Sequence, residues 1–351
     1  MRAQIDNSLK QLYKYAAESR FDEFDALFKK ALPLLTPAER QNAYLIRAQI
    51  KLYICDETLT QDLAEAGETG APLFPCIHWQ CDTPNRLVIF NRADGSLKNH
   101  LKNLSTAAAL FDARFGEAGK SMVRQFNAEI LYFSGDHAAA IALSKQQLDA
   151  ASLTDGFLSR CLLFRCYLAT GAIPEAERAM QEVISFSNAY PQYIASYTAM
   201  RTWANLTTGW SGDTPRFLVD HKGKSRPFLD DRLAAIRKGF ANLSPLEAPF
   251  VRYARQSDPN FYAMSEYYMD IFYAMYWFYT QNYREMEKYF IKAGRIAAAS
   301  GLIMPFVECG QHIVAVLEYV KKRKLGCSAE WLDRVADSAA AYEKHLTAYR
   351  N

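Results

Sequence analysis

Apolar residues return every three or four positions along most of the chain, and strand-like alternation is almost absent. The most legible stretch is residues 260–300. Within it, residues 262–280 are apolar or aromatic nearly all round, as expected of a helix flanked on several sides by other helices. A short break at Gln281-Asn282 follows, and then a helix whose one face carries Tyr283, Met286, Phe290 and Ala293. Neither helix can bury such a surface alone, so the pattern predicts similar units beside it.

A recurring helix, turn, helix arrangement supplies those units. The turns read Ser19-Arg20-Phe21-Asp22-Glu23-Phe24, Gly135-Asp136-His137-Ala138-Ala139-Ala140, Gly171-Ala172-Ile173-Pro174-Glu175-Ala176 and Gln281-Asn282-Tyr283-Arg284-Glu285-Met286. Each has a turn residue, a ring or aliphatic side chain two later and an apolar residue five later. Glycine suits the positive φ that a helix C-terminus favours, and Pro174 falls early in the next helix, where its missing N–H costs little. Gly135 and Gly171 are 36 residues apart, close to the 34-residue tetratricopeptide period. Ala128 and Ala274 stand seven before their turns, where paired helices would cross closely, while Phe164 fills the equivalent place. The fold class expected is therefore all-α: a single tetratricopeptide-like helical-repeat superhelix (an α-α solenoid) over residues 1–351, with roughly eight helix pairs at that period.

In chain order the spacing predicts helices over 3–17, 21–32, 38–54, 59–66, 101–115, 121–134, 137–150, 156–170, 174–188, 193–207, 230–241, 246–255, 305–322 and 329–349, besides the aromatic pair. Thr36 is the expected N-cap before Pro37. Two stretches interrupt the helices. Residues 67–100, with Pro72, Pro75 and Pro84, read as an ordered excursion or loop, and residues 209–227, rich in Gly, Ser, Asp and Lys, as a mobile surface loop.

Composition narrows the class. A net charge of +3 and a pI near 8.3 give no general pull toward nucleic acid or anionic membrane. The opening segment is polar and amphipathic rather than a secretory signal, and the longest apolar stretch, 271–279, is too short to span a bilayer. Seven cysteines (Cys55, Cys76, Cys81, Cys161, Cys166, Cys309, Cys327), scattered and odd in number, suit buried thiols in a reducing cytosol. A cytoplasmic protein without membrane partners is expected.

Towards the C-terminus the chain reads Ala297-Ala298-Ala299-Ser300-Gly301-Leu302-Ile303-Met304-Pro305-Phe306-Val307-Glu308, then Gly310, His312 and Ile313, then Tyr342-Glu343-Lys344. This order resembles the final sensor repeats of large LuxR-type, MalT-like bacterial transcription regulators. Residues 47–53, Phe74-Pro75-Cys76 and Thr83-Pro84-Asn85-Arg86 fit the same family more diffusely. The resemblance implies a domain that senses an inducer or a protein partner and relays its state to flanking modules. The family's nucleotide-binding module would precede residue 1 and its helix-turn-helix would follow Asn351; neither is present in this chain. Ends that fall inside helical sequence point to a segment excised from a longer protein, and DNA would be reached only through a module outside it.

Motif chemistry adds little to this. Gly119-Lys120-Ser121 ends like a phosphate loop, but Arg114 stands where the first glycine is required and no strand precedes it, and Gly223-Lys224-Ser225 fails likewise with Leu218. Cys76, His78 and Cys81 are zinc-ligand types within six residues, yet a structural site needs a fourth ligand, so no metal or cofactor is expected. Asp230-Asp231 and Glu285/Glu287 point apart on a helix and read as solvated faces, and the run from Lys321 to Lys324 complements a helix end. No nucleophile elbow and no H-E-x-x-H occurs, so no catalytic residue is assigned and enzymatic activity is not expected.

A binding surface is the remaining candidate. Solenoids bind on the concave surface formed by the first helix of each pair. The repeat register places Met122, Gln125, Glu129 and Tyr132 there, then Leu158, Cys161 and Arg165, then Trp203, then Tyr268, Ile271, Met275 and Phe278. Gln125, Glu129, Arg165, Trp203, Tyr268 and Met275 are the proposed ligand-binding set: a few polar anchors among flat and apolar faces. Ion pairing of Glu129 with Arg165 would explain two of them structurally. A small-molecule inducer or a protein segment is the expected ligand, with self-association open; the alternative is a stand-alone scaffold that binds proteins and no small ligand.

Overall fold

The computed structural model describes residues 2–53, 56, 58–67, 70–79, 107–149, 152–193, 197, 200 and 263–350. These form helices joined mostly by short turns, with no strand among the described residues, so the all-α class is what forms. In order come α1 (Arg2–Ala17), α2 (Phe21–Ala31), α3 (Pro37–Tyr53) and α4 (Leu59–Ala66). A helix over residues 107–115, α5, leads into α6 (Glu117–Phe133) and α7 (His137–Lys145), then α8 (Leu153–Thr170) and α9 (Ile173–Ala189). The last group is α10 (Ala263–Tyr279), α11 (Tyr283–Ser300), the single turn α12 (Met304–Val307), α13 (Gln311–Arg323) and α14 (Ala329–Arg350). The helices expected over 193–207, 230–241 and 246–255, the loop over 209–227 and the remainder of the excursion beyond Trp79 lie outside the described residues, the isolated residues 193, 197 and 200 apart.

The four turns that define the repeat share one backbone geometry. Ser19, Gly135, Gly171 and Gln281 take φ of 57°, 89°, 75° and 61°. In each, the turn residue's N–H donates three residues back: Ser19 to Ala16, Gly135 to Tyr132, Gly171 to Leu168, Gln281 to Phe278. The next N–H donates five back, from Arg20 to Tyr15, Asp136 to Leu131, Ala172 to Tyr167 and Asn282 to Trp277, at 2.8–2.9 Å. That pair of bonds is the left-handed C-cap, which satisfies carbonyls a helix end leaves open. The apolar residue five beyond each turn, Phe24, Ala140, Ala176 or Met286, is fully buried between the paired helices. A fifth cap of this kind, at Lys324 with Leu325 donating to Val320, ends α13. The sequence concealed it, because neither a glycine nor a following ring marks it.

Capping fixes the ends locally. Thr36 and Glu39 form a reciprocal capping box: the Thr36 N–H donates to Glu39 Oε2 (2.8 Å) and the Glu39 N–H to Thr36 Oγ1 (3.4 Å). Gly119 lies in the first turn of α6, so close to α5 that a Cβ there would meet the Phe111 backbone oxygen at 2.5 Å. It is a packing glycine.

One expected helix divides. Residues 305–322 form α12 and α13, separated by Gly310 at φ 57°. Gly310 admits the Glu343 side chain from α14, and the interruption turns Glu308 inward, where it is 3% exposed.

Two apolar cores result, and α3 is the wall between them. Ala43, Ile46 and Ile50 pack with α1, α2, Ile77 and Trp79, while Leu45, Ala48 and Leu52 belong to the larger core that runs through α4 to α14. In that larger core α8 is buried nearly all round, which explains its lack of a polar stripe. The C-terminal helices return to it. The Ile303 N–H donates to Phe133 O at 2.8 Å, His345 sits with Nδ1 3.0 Å from Ala169 O against Gly171, and Tyr349 meets Phe164 edge-on.

Candidate functional site

The α6 register positions Met122, Gln125, Glu129 and Tyr132 are all buried, facing other helices rather than an open surface. Ser121, Gln125, Glu129 and Tyr132 recur at helical spacing and are all buried, opposite Asp155 and Ser159 at the start of α8. Ser121 Oγ donates to Asp155 Oδ2 (2.8 Å), and Ser159 Oγ donates to Gln125 Oε1 (2.6 Å), whose Nε2 donates to Glu129 Oε1 (2.8 Å). Asp155 has two further neighbours: its N–H donates to the N-cap Ser152 Oγ, and His78 Nδ1 approaches its carboxylate to 3.7 Å, while Gln147 Nε2 donates to the backbone oxygen of Ser121. Buried polar groups require such partners, because an unmade bond leaves the full desolvation cost.

Deeper along the same helices lies a carboxylate clamp. Glu308, delivered by the turn after α12, receives Tyr132 Oη at 2.5 Å and Arg165 Nη2 at 2.6 Å on Oε1. Tyr268 Oη from α10 donates to Oε2 at 2.8 Å and lies 3.5 Å from Arg165 Nη2. The guanidinium also faces the Tyr132 and Phe133 rings, 4.8 and 5.0 Å from their centroids. Both Arg165 and Glu308 are almost completely withdrawn from water.

The electrostatics follow from that burial. Desolvation pushes the Tyr132 and Tyr268 hydroxyls well above their ordinary range, and the Glu308 carboxylate pushes them further, so both remain protonated donors. Burial is the largest single influence on the Arg165 cation and disfavours it, but Glu308, Tyr132 and Tyr268 together outweigh burial and raise that pKa well above the ordinary arginine value. Chemically the arrangement binds a carboxylate from three sides. Cys161 and Cys166 on α8 are buried with thiol pKa values pushed up by desolvation, which keeps them in the unreactive thiol form.

Of the proposed ligand-binding residues, Gln125 and Glu129 stand in one buried hydrogen-bonded chain and Arg165 and Tyr268 in the clamp. Met275 is fully buried two turns along α10 from Tyr268, within the same apolar core. Trp203 lies outside the described residues. Arg165 takes Glu308 as an ion-pair partner, a pairing that spacing did not suggest. Glu308, Asp155 and Ser159 were missed as partners. The one sequence signal for Glu308 is an acidic residue closing the apolar run from Leu302 to Val307.

The other candidates fall to surface or packing roles. Lys321 pairs with Asp333 and Arg323 with Glu287. Cys76 is half-buried, His78 turns toward Asp155, and Cys81 lies outside the described residues; no group of three or more metal-ligating side chains occurs among the described residues. No described helix is long and apolar enough to cross a membrane. No family model matches this chain, and no curated protein matches it significantly.

Proposed function

We propose that this chain is a tetratricopeptide-like sensing and interaction domain. It binds an inducer or a protein segment on the faces of the first helices of its pairs and passes its state to a DNA-binding module, in the manner of the LuxR-type, MalT-like regulators it resembles. The observation that carries the reading is the clamp on Glu308. Two first helices of successive pairs, α6 and α8, grip the turn that leads into α13 and α14, so whatever engages Arg165 alters the seating of the C-terminal hairpin. A ligand shifts such an equilibrium only by its differential affinity for the two arrangements. Carboxylate-bearing compounds are the first to test, because the clamp already binds that group.

The test is a thermal-shift screen of the purified chain against acidic sugars, amino acids and nucleotides, repeated with Glu308→Gln. Binding to the folded state raises stability by mass action, so a cognate class should raise the Tm by several degrees, saturably. Flat melting curves with every class would remove the small-ligand reading. The second reading, a scaffold that binds protein and no small ligand, is favoured by how residues 70–79 lie on α1 and α3.

A further inference from the structure

Residues 70–79, Gly-Ala-Pro-Leu-Phe-Pro-Cys-Ile-His-Trp, form no helix and cross α1 and α3, the first helices of the first two pairs. The strap is held by its backbone. The Leu73 N–H donates to Asn42 Oδ1 and the Ile77 N–H to Gln49 Oε1, each at 2.8 Å. Both acceptors are fixed in advance on α3: Asn42 Nδ2 donates to Ala38 O (2.9 Å) and Gln49 Nε2 to Leu45 O (3.3 Å), which turns each carboxamide oxygen away from its own helix. Seven helical residues rise about 10.5 Å and four extended residues reach about 13 Å, so a segment running obliquely along α3 meets both acceptors.

Side chains complete the fit. The Phe74 ring stacks on Tyr13, with centroids 4.7 Å apart and 12° between planes. Ile77 and Trp79 are each 4% exposed, and the Trp79 indole N–H donates to Ala16 O at 2.9 Å while its ring meets Phe21 edge-on. Pro72 and Pro75 bias the residues before them toward extended backbone. Leu73, by contrast, is 58% exposed, so the strap lies on the surface rather than threading the core.

We propose that the α1–α3 face is a peptide-binding seat, occupied in cis by residues 70–79, which accepts in trans an extended partner segment of the same pattern. That pattern is an aromatic residue bracketed by prolines, an aliphatic residue three later and a tryptophan two beyond it. Recognition is divided as in other extended-peptide sites: main-chain N–H groups supply hold, and side-chain seats supply choice. This stands on the strap's own contacts and is independent of ligand sensing at Arg165. A tethered strap has an effective concentration of the order of millimolar, so a free segment competes measurably only once the strap's anchors are weakened.

The experiment uses the full chain carrying Phe74→Ser and Ile77→Ser, with a fluorescein-labelled peptide of residues 70–79 in which Cys76→Ser prevents oxidation. Fluorescence anisotropy should show saturable binding at least tenfold tighter than to the parent chain. N-methylation of the peptide at its Ile77 position, or Gln49→Leu in the weakened chain, should each cost tenfold or more. A weakened chain with undiminished helical circular dichroism that fails to bind the peptide, or binds the N-methylated form equally, overturns the proposal. Should the double variant not fold, the single Phe74→Ser chain at millimolar peptide is decisive through hydrogen exchange. The peptide should speed exchange of the chain's own Ile77 amide, and an unchanged rate overturns the proposal.

Discussion

Two regions of the molecule hold pieces of their own chain in opposite ways. At α1 and α3 a ten-residue strap is bound by neutral carboxamides and aromatic seats, with part of it open to water. At α6 and α8 a turn is bound by a buried ion pair with two tyrosine hydroxyls. The difference is one of consequence. Losing one member of a buried charge pair strands the other without water, whereas losing a neutral acceptor strands a single N–H. The first arrangement strands only neutral groups when a contact is lost; the second commits the C-terminal helices to one seat. A buried pair is therefore no proof of added stability, and apolar residues of similar volume could hold the same turn.

The contrast can be broken most severely at Arg165. Arg165→Met should destabilise the chain by about 3–5 kcal/mol in urea unfolding, since it leaves the Glu308 carboxylate buried. Adding Glu308→Leu should recover much of that loss. A single variant within about 1 kcal/mol of the parent would show that water reaches the clamp. Smaller effects belong to the strap. Gln49→Leu should cost about 1–3 kcal/mol through the buried Ile77 N–H. Asn42→Ala should cost less than Gln49→Leu, because the exposed Leu73 can give its N–H to water. Equal losses at Asn42 and Gln49 would contradict the exposure gradient along the strap.

The smallest effect is a pH dependence at the clamp's edge. His137 packs against the Tyr132 ring, and burial lowers its pKa below 6.5 despite Asp136 and Glu308, whose charges raise it. The folded state then resists a proton that the unfolded state accepts. The contribution is fully present above pH 6.5 and is lost as pH falls from there through the lower folded value. Melting temperatures from pH 8 to 5 should show this slope reduced in His137→Gln. An identical slope would place the titration elsewhere.

Much of the helical framework was legible in the residues. The four turns were visible because a helix end needing positive φ, followed by a buried apolar residue, leaves a local trace. The Thr36 cap was equally local, although its partner Glu39 was not singled out. The division of residues 305–322 was not, since periodicity carries across Gly310 and only the approach of Glu343 shows why a glycine stands there. Within the proposed binding set, helical spacing identified Gln125, Glu129 and Arg165 as polar groups on otherwise apolar faces and Tyr268 as a flat one. It could not supply Glu308, which stands 143 residues beyond Arg165.

By itself, then, the sequence determined the all-helical class, most helix boundaries and the turn that repeats, because hydrogen bonds and caps span at most five residues. Tertiary structure alone decided which distant groups meet: Arg165 with Glu308, Trp79 with Ala16, His345 with Gly171. Those meetings depend on how helices lie against one another, and spacing along the chain holds no measure of that. A side chain's burial, its charge balance and its partner are properties of the assembled core, fixed only when every helix has taken its place.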